Sequence, residues 1–380
     1  AARRAAEVDA GATDDVRLAL KARKARTMDA AGATMHAMVL HATGAPLLPE
    51  TRPLPAPGAG EIRLRVAACA VCRTDLHVVD GDLPPLARPI VPGHEIVGYV
   101  DALGPGVAGF APGQRVGVPW LGSTCGHCRY CRMQRENLCD APVFTGYTRD
   151  GGFASHAVAD ARYVFDLEGV PLDDVHAAPL MCAGLIGWRA LRMAGDARVL
   201  GPYGFGAAAH LIVQVARAQG RRVFAFTRAG DAPAQALARQ LGADWAGCSD
   251  EAPPEPMDAA ILFAPVGALV PLSLAQLRKG GRVVCAGIHM SDIPAFRYRL
   301  LWEEREIVSV ANLTRRDGEE FLAAARTLAL QVSATPFPLA QADEALRRLR
   351  AGELVGAAVL VPRGADRPRG QGASDLRPAR

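Results

Sequence analysis

The sequence predicts an α/β protein of two domains, one a doubly wound parallel sheet and the other irregular and mainly β. Three observations carry this expectation. From about Gly184 to about Arg316, strand-like and helix-like stretches alternate, as in a parallel sheet covered on both faces. Before it, to about Ala183, short strands are broken by Gly and Pro, the mark of irregular β-structure. The length, 380 residues, is long for one core and suits two.

Residues 1–34 hold alanine with mixed charge, no aromatic residue and no apolar run of the signal-peptide kind. They read as a poorly ordered extension, with Asp15 to Arg26 a candidate loose helix. The first part of the irregular domain, 35–183, contains the strand-like runs Ile62–Val66, Ile96–Val100 and Gln114–Val118. Within it, 121–141 is a polar lobe carrying Cys125-x2-Cys128-x2-Cys131-x7-Cys139. Four thiolates at this spacing can close a tetrahedron around one zinc ion, leaving no position open for chemistry. An iron–sulfur reading fits less well, because ferredoxin runs have a shorter last gap and a proline after the fourth cysteine, where Asp140 stands here.

The second domain, 184–317, opens with Ala197-Arg198-Val199-Leu200-Gly201-Pro202-Tyr203-Gly204-Phe205-Gly206, a strand entering a glycine-rich turn. A helix is expected from Ala207 to Gln219 and a second strand from Arg222 to Phe226. This strand, turn, helix and strand form the Rossmann-type dinucleotide-binding unit, whose helix N-terminus holds a pyrophosphate on free backbone N–H groups. Gly201, Gly204 and Gly206 are the candidate cofactor glycines; position 203 is Tyr, so Gly204 is expected to give the close approach. At the end of the second strand, Thr227 and Arg228 stand where an NAD site carries a carboxylate, and a neutral residue beside an Arg favours NADP over NAD. Asp231 is near enough to serve a ribose instead.

The apolar stretch Ala259 to Leu274 is interrupted by Pro265, Gly267 and Pro271, so it reads as a buried strand, Ala259 to Phe263, and a loop, not a membrane span. A helix around Gly318–Leu330 then returns the chain to the first domain, whose second part is 318–362. The tail 363–380, rich in Arg, Gly, Pro and Asp, reads as disordered.

Nine cysteines are present, and outside the lobe stand Cys69, Cys72, Cys182, Cys248 and Cys285. Cys72 follows the first strand-like run, His94 precedes the second, and Cys182 lies where loop turns to helix. Each alone has an ordinary reading as a buried small hydrophobe or a core histidine. The three together make a Cys2His set, which leaves a fourth position open for water or substrate. Asp75 is a candidate to orient the ring of His94 through its second nitrogen, and Glu95 a possible further approach to the metal.

With these motifs in order, the chain resembles the zinc-dependent alcohol dehydrogenases of the medium-chain dehydrogenase/reductase superfamily. The matching segments are Cys72-Arg73-Thr74-Asp75-Leu76-His77, Gly93-His94-Glu95, the four-cysteine lobe, Thr145-Gly146-Tyr147 through Gly151-Gly152-Phe153-Ala154, Leu180-Met181-Cys182-Ala183-Gly184 and Leu349 to Leu360. They span about Met35 to about Pro362. The resemblance implies a GroES-like catalytic domain, two zinc ions per chain and reversible hydride transfer between an alcohol and a nicotinamide cofactor. It implies a proton path through Thr74 and His77, with Arg73 on the cofactor pyrophosphate. A cysteine at 182, where polyol enzymes carry a carboxylate, points to simple alcohols and aldehydes. Trp120 matches a pocket wall near the metal, and Leu83 a position often filled by a larger aromatic, which suggests primary alcohols of medium or aryl size. A homodimer or homotetramer is expected because the family commonly forms them.

Composition excludes other classes. Half the residues are apolar and the net charge is only +4, which argues against a nucleic-acid binder. Arg129, Arg132 and Arg135 in the lobe are diluted by Glu136 and Asp140. Zinc thiolates with three spare cysteines fit a reducing compartment, so a cytoplasmic protein is expected. Two rival readings stand beside the enzyme: a zinc-free quinone or enone reductase of the same superfamily, and a non-catalytic zinc- and nucleotide-binding sensor or scaffold.

Overall fold

The computed structural model describes residues 32–85 and 89–362. The expectations for 1–31 and 363–380, including the helix over Asp15–Arg26, lie outside the described residues.

A six-stranded parallel sheet forms the second domain. Its order is Trp245–Cys248, Arg222–Thr227, Val199–Tyr203, Met257–Leu262, Leu277–Cys285 and Glu306–Ser309. Numbered along the chain this is 3-2-1-4-5-6, the doubly wound order whose reversal beside strand 1 opens a crevice for a dinucleotide. Strand 1 is wholly buried, as a central parallel strand covered on both faces must be. Tyr203 occupies its end and stacks on Phe226 of strand 2, ring centroids 4.0 Å apart and planes 4° from parallel. The side chain at the irregular position of the glycine motif therefore turns into the core, away from the turn.

The other domain is built on a seven-stranded sheet. Its organiser is the long strand Glu61–Val71, which pairs antiparallel with Glu95–Leu103, with His156–Asp160 and with Ala357–Val361. The last of these closes the split: the returning strand pairs with the organising strand of the domain's first part. One face of Glu61–Val71 alternates with solvent at first and then all positions from Val66 are buried. Cys72 is thus delivered from the interior end of a fully covered strand, and Glu95 starts the strand beside it.

Two elements differ from the sequence expectation. Leu269–Leu274 is a short helix where a loop was expected; Pro271 lies in its first turn, where its missing N–H has no intrahelical partner to lose. The return helix is Arg315–Thr327, three residues earlier than expected. Thr314 caps it, with Asp317 completing a capping box, a signal that fixes the start of a helix in this register. Asp317 is fully buried and also meets Arg189 at 2.6 Å and Arg192 at 2.8 Å, both from the helix Ala183–Met193. No helix among the described residues is long and apolar enough to cross a membrane.

Candidate active site

The segment after Cys72 is a helix, Arg73–Asp80. Cys72 is its N-cap: its sulfur accepts from the Thr74 N–H at 3.3 Å, and its own N–H donates to Asp75 Oδ2 at 2.9 Å. The helix ends at Gly81, whose φ of 84° only glycine adopts readily. Thr74 and His77 are three residues apart and so share a helix face. His77 Nδ1 lies 2.7 Å from Asp82 Oδ2 beyond the turn. Arg73 is exposed at the first helical position.

His94 is fully buried, with Nε2 3.2 Å from the Cys72 sulfur and Nδ1 2.9 Å from Asp75 Oδ1. One carboxylate therefore reaches both the backbone of Cys72 and the ring of His94. Cys182 comes from the far side, as N-cap of Ala183–Met193, without a capping bond from its sulfur. Ligand atoms of Cys72, His94, Glu95 and Cys182 all lie within 4.8 Å of one another. A tetrahedral metal with one sulfur and one nitrogen ligand sets those atoms about 3.6 Å apart, so the set fits a zinc ion with small adjustment.

Without metal these groups hold protons tightly. The hydrogen bond to Cys182 and then burial push the Cys72 thiol well above the usual thiol range. Burial, then the neighbouring Cys72, pushes Glu95 well above the usual carboxylate range. Burial works against a charged His94, yet Asp75 and Cys72 outweigh it and hold its pKa well above the ordinary value. A bound cation would displace these protons and stabilise the deprotonated ligand atoms.

The four-cysteine lobe is equally well formed. Its sulfurs stand 3.5 Å apart for Cys125 and Cys139 and 4.0 Å for Cys125 and Cys131, against about 3.8 Å around tetrahedral zinc. Backbone N–H groups donate to them: Cys128 to Cys125 at 3.3 Å, Cys131 to Cys128 at 3.5 Å and Ala141 to Cys139 at 3.4 Å. The Cys131 N–H in particular draws the Cys128 thiol down to about 6. Glu136 anchors the lobe by accepting from the Arg315 N–H at 2.9 Å, and Asn137 donates to the Ala311 carbonyl at 2.7 Å.

Trp120 closes one side of the Cys2His set, its ring edge-on to His94 at 5.1 Å. Sequence reasoning named Trp120 but not the two rings stacked with it, Phe144 at 5.0 Å and Tyr147 at 6.0 Å. Tyr147 had entered only as part of a motif. Its hydroxyl donates to the Pro84 carbonyl at 2.8 Å, next to Leu83, which is partly buried against the same core.

Of the cofactor candidates, Gly201 lies inside strand 1, where a Cβ would meet the Met257 sulfur at 2.2 Å. Gly204 makes the turn, with φ of 87°. Gly206 is the N-cap of Ala207–Ala218 and has open space around it, as a surface approached by a ligand needs. Thr227 ends strand 2, its hydroxyl bonded to the Gly247 carbonyl at 3.3 Å. The Arg228 side chain is 93% exposed. Asp231 caps the helix Ala232–Gln240, accepting from Ala234 at 3.2 Å.

Comparison with known proteins agrees with this geometry. Residues 58–169 match the alcohol dehydrogenase GroES-like domain. The Mycobacterium tuberculosis protein described as "Probable alcohol dehydrogenase AdhA" is 45% identical over 325 residues, 83% of this chain and 93% of that protein. The cobalt- and zinc-bound thermostable alcohol dehydrogenase of Pyrobaculum aerophilum superposes with a TM-score of 0.77 at 28% identity, covering 87% of this chain and all of that one. Acetophenone reductase from Geotrichum candidum, in complex with NAD, gives a TM-score of 0.77 at 27% identity, over 86% and 97% of the two chains. Complete metal sets and this likeness leave no support for the zinc-free reductase or the scaffold. The chain belongs to the zinc-dependent alcohol dehydrogenases of the medium-chain dehydrogenase/reductase superfamily, enzymes that interconvert alcohols and aldehydes by hydride transfer with NAD(P).

Proposed function

We propose that this enzyme acts on primary alcohols and aldehydes of medium or aryl size, and that it prefers NADP(H). The observation that carries the catalytic reading is the convergence of Cys72, His94 and Cys182, with ligand atoms within 4.8 Å, at the junction of strand ends and helix N-caps. A zinc ion held there would polarise the substrate oxygen and lower the pKa of an alcohol toward neutrality. The chain's residues do the rest. Asp75 holds the ring of His94; the Thr74 hydroxyl would accept the hydrogen bond of the substrate alcohol while passing its own proton on, His77 would take up the released proton, and Glu95 would offer the metal a further carboxylate oxygen. Arg73, exposed at the helix start, pairs with the cofactor pyrophosphate, and Gly204 and Gly206 let that group approach the helix N-terminus.

Trp120, held by its stack with Phe144 and Tyr147, gives the site an aromatic side that supports aryl substrates, and Leu83 leaves more room than an aromatic would. For the cofactor, Asp231 is engaged as a helix cap and lies 3.9 Å from the Arg228 guanidinium, which is 93% exposed and so remains open to a 2′-phosphate. The Geotrichum relative, solved with NAD, weighs the other way. A homodimer or homotetramer in a reducing, cytoplasmic setting completes the reading, supported by the family and by nine free cysteines. Steady-state reduction of an aryl aldehyde with NADPH and with NADH, in one zinc-replete buffer, tests it. Faster turnover with NADPH is expected. A preference for NADH overturns the role of Arg228, and inactivity with both overturns the substrate class.

A further inference from the structure

We propose that His289, from the nucleotide-binding domain, is a positioning residue for His77 on the catalytic domain. The two rings meet across the domain junction, centroids 4.4 Å apart and planes inclined by 51°. His77 lies on the helix Arg73–Asp80, and His289 in the segment that follows strand Leu277–Cys285. His289 is exposed, and its backbone holds a φ of 51°, the left-handed region that a residue with a Cβ seldom occupies. A side chain kept at such a position, where glycine would be easier, directs attention to what the side chain touches. Here it touches His77.

His77 is thereby held on two sides. Asp82 lies 2.7 Å from Nδ1, and His289 packs against the ring. Both are titratable groups that face it. Nε2 is left as the nitrogen that exchanges the proton, and a ring fixed by two neighbours presents it in one direction. One of the two comes from the other domain, so the proton path is complete only while the domains are together. This proposal rests on the reading of His77 as proton carrier.

The test compares wild type, His289→Ala, His289→Phe, His77→Gln and the His77→Gln/His289→Ala double variant, all zinc-loaded, in alcohol oxidation between pH 6 and 9. His289→Ala should lower kcat about three- to tenfold below pH 7 with the alcohol KM within about twofold of wild type. His289→Phe, which keeps a ring in place, should restore most of the loss. In the His77→Gln background, His289→Ala should add nothing. A wild-type profile for His289→Ala, or an equal loss in both backgrounds, overturns the proposal while leaving His77 its role. A wild-type profile for His77→Gln overturns the proton-carrier reading itself, and this proposal with it.

Discussion

Asp75 spans the two halves of the metal set: its Oδ1 lies 2.9 Å from the ring of His94 and its Oδ2 accepts the Cys72 N–H at 2.9 Å. Neither Asp75 nor His94 is more than 1% exposed, so water does not compete for these bonds. The same carboxylate that caps a helix thus fixes the orientation of the His94 ring 19 residues away.

Replacing Asp75 by Asn should weaken metal retention at the Cys2His set by about 10- to 100-fold. Zinc content after dialysis against a moderate chelator should fall from two per chain toward one, because the four-cysteine lobe does not use Asp75. Two zinc ions retained under the same conditions would remove Asp75 from the support of the site.

Acid should empty the Cys2His set before the lobe. Cys72 and His94 both have raised pKa values, so binding a metal must displace their protons, and affinity falls as pH falls. In the lobe the shifts are divided, the Cys131 N–H drawing Cys128 down to about 6 and burial raising Cys139 to about 11, whereas Cys72, Cys182 and His94 are all raised, so more protons must leave the Cys2His set. Apparent affinity at the first site should drop by at least about tenfold per pH unit between pH 8 and 6, as read by competition with a chromophoric chelator. Simultaneous loss from both sites would contradict the assignment.

Asp317 should be the costliest single carboxylate to remove for stability. Taking it away strands Arg189 and Arg192 against the return helix and removes the capping box, a loss of about 3 kcal/mol. Burial opposes its charge, but Thr314 and Arg189 hold its folded pKa below the usual carboxylate range. The stability it contributes is therefore present above its unfolded pKa, about 3.9, and lost as pH falls through the lower folded value. The Tm gap between wild type and Asp317→Asn should narrow below about pH 4; a gap independent of pH would mean the charge is not what matters.

Enlarging Leu83 should trade substrates. Leu83→Trp places a bulky ring beside the Tyr147–Pro84 contact and the Trp120 wall, and should cut kcat/KM for an aryl aldehyde at least about tenfold relative to acetaldehyde. An unchanged ratio would place the substrate elsewhere.

What the sequence makes legible is what spacing encodes. Cys125 to Cys139 announce a zinc lobe because all four ligands lie within one short segment. The strand, Gly204 turn and helix announce a nucleotide crevice because that unit is local too. Cys72, His94 and Cys182 are separated in the chain, and it took their combination with the lobe to suggest a second site. The partners that stay hidden are those joined only by the fold. Phe144 stacks on Trp120 where Leu121–Ser123 pairs with Val143–Phe144; Glu136 reaches Arg315, 179 residues on; His289 meets His77 across two domains. No periodicity or motif links such pairs. The helix start at Arg315 was within reach, since Thr314 and Asp317 form a capping signal, but the apolar pattern drew the expected start inward.

The central claim is that Cys72, His94 and Cys182 hold a catalytic zinc distinct from the structural one. Zinc stoichiometry and aldehyde reduction, measured together on wild type and Cys182→Ala, test it most directly. Wild type should carry two zinc ions and turn over, and the variant should carry one zinc ion, keep an intact fold and turn over at least about 1,000-fold more slowly. A Cys182→Ala protein that keeps two zinc ions, or that reduces aldehyde at close to the wild-type rate, would contradict it.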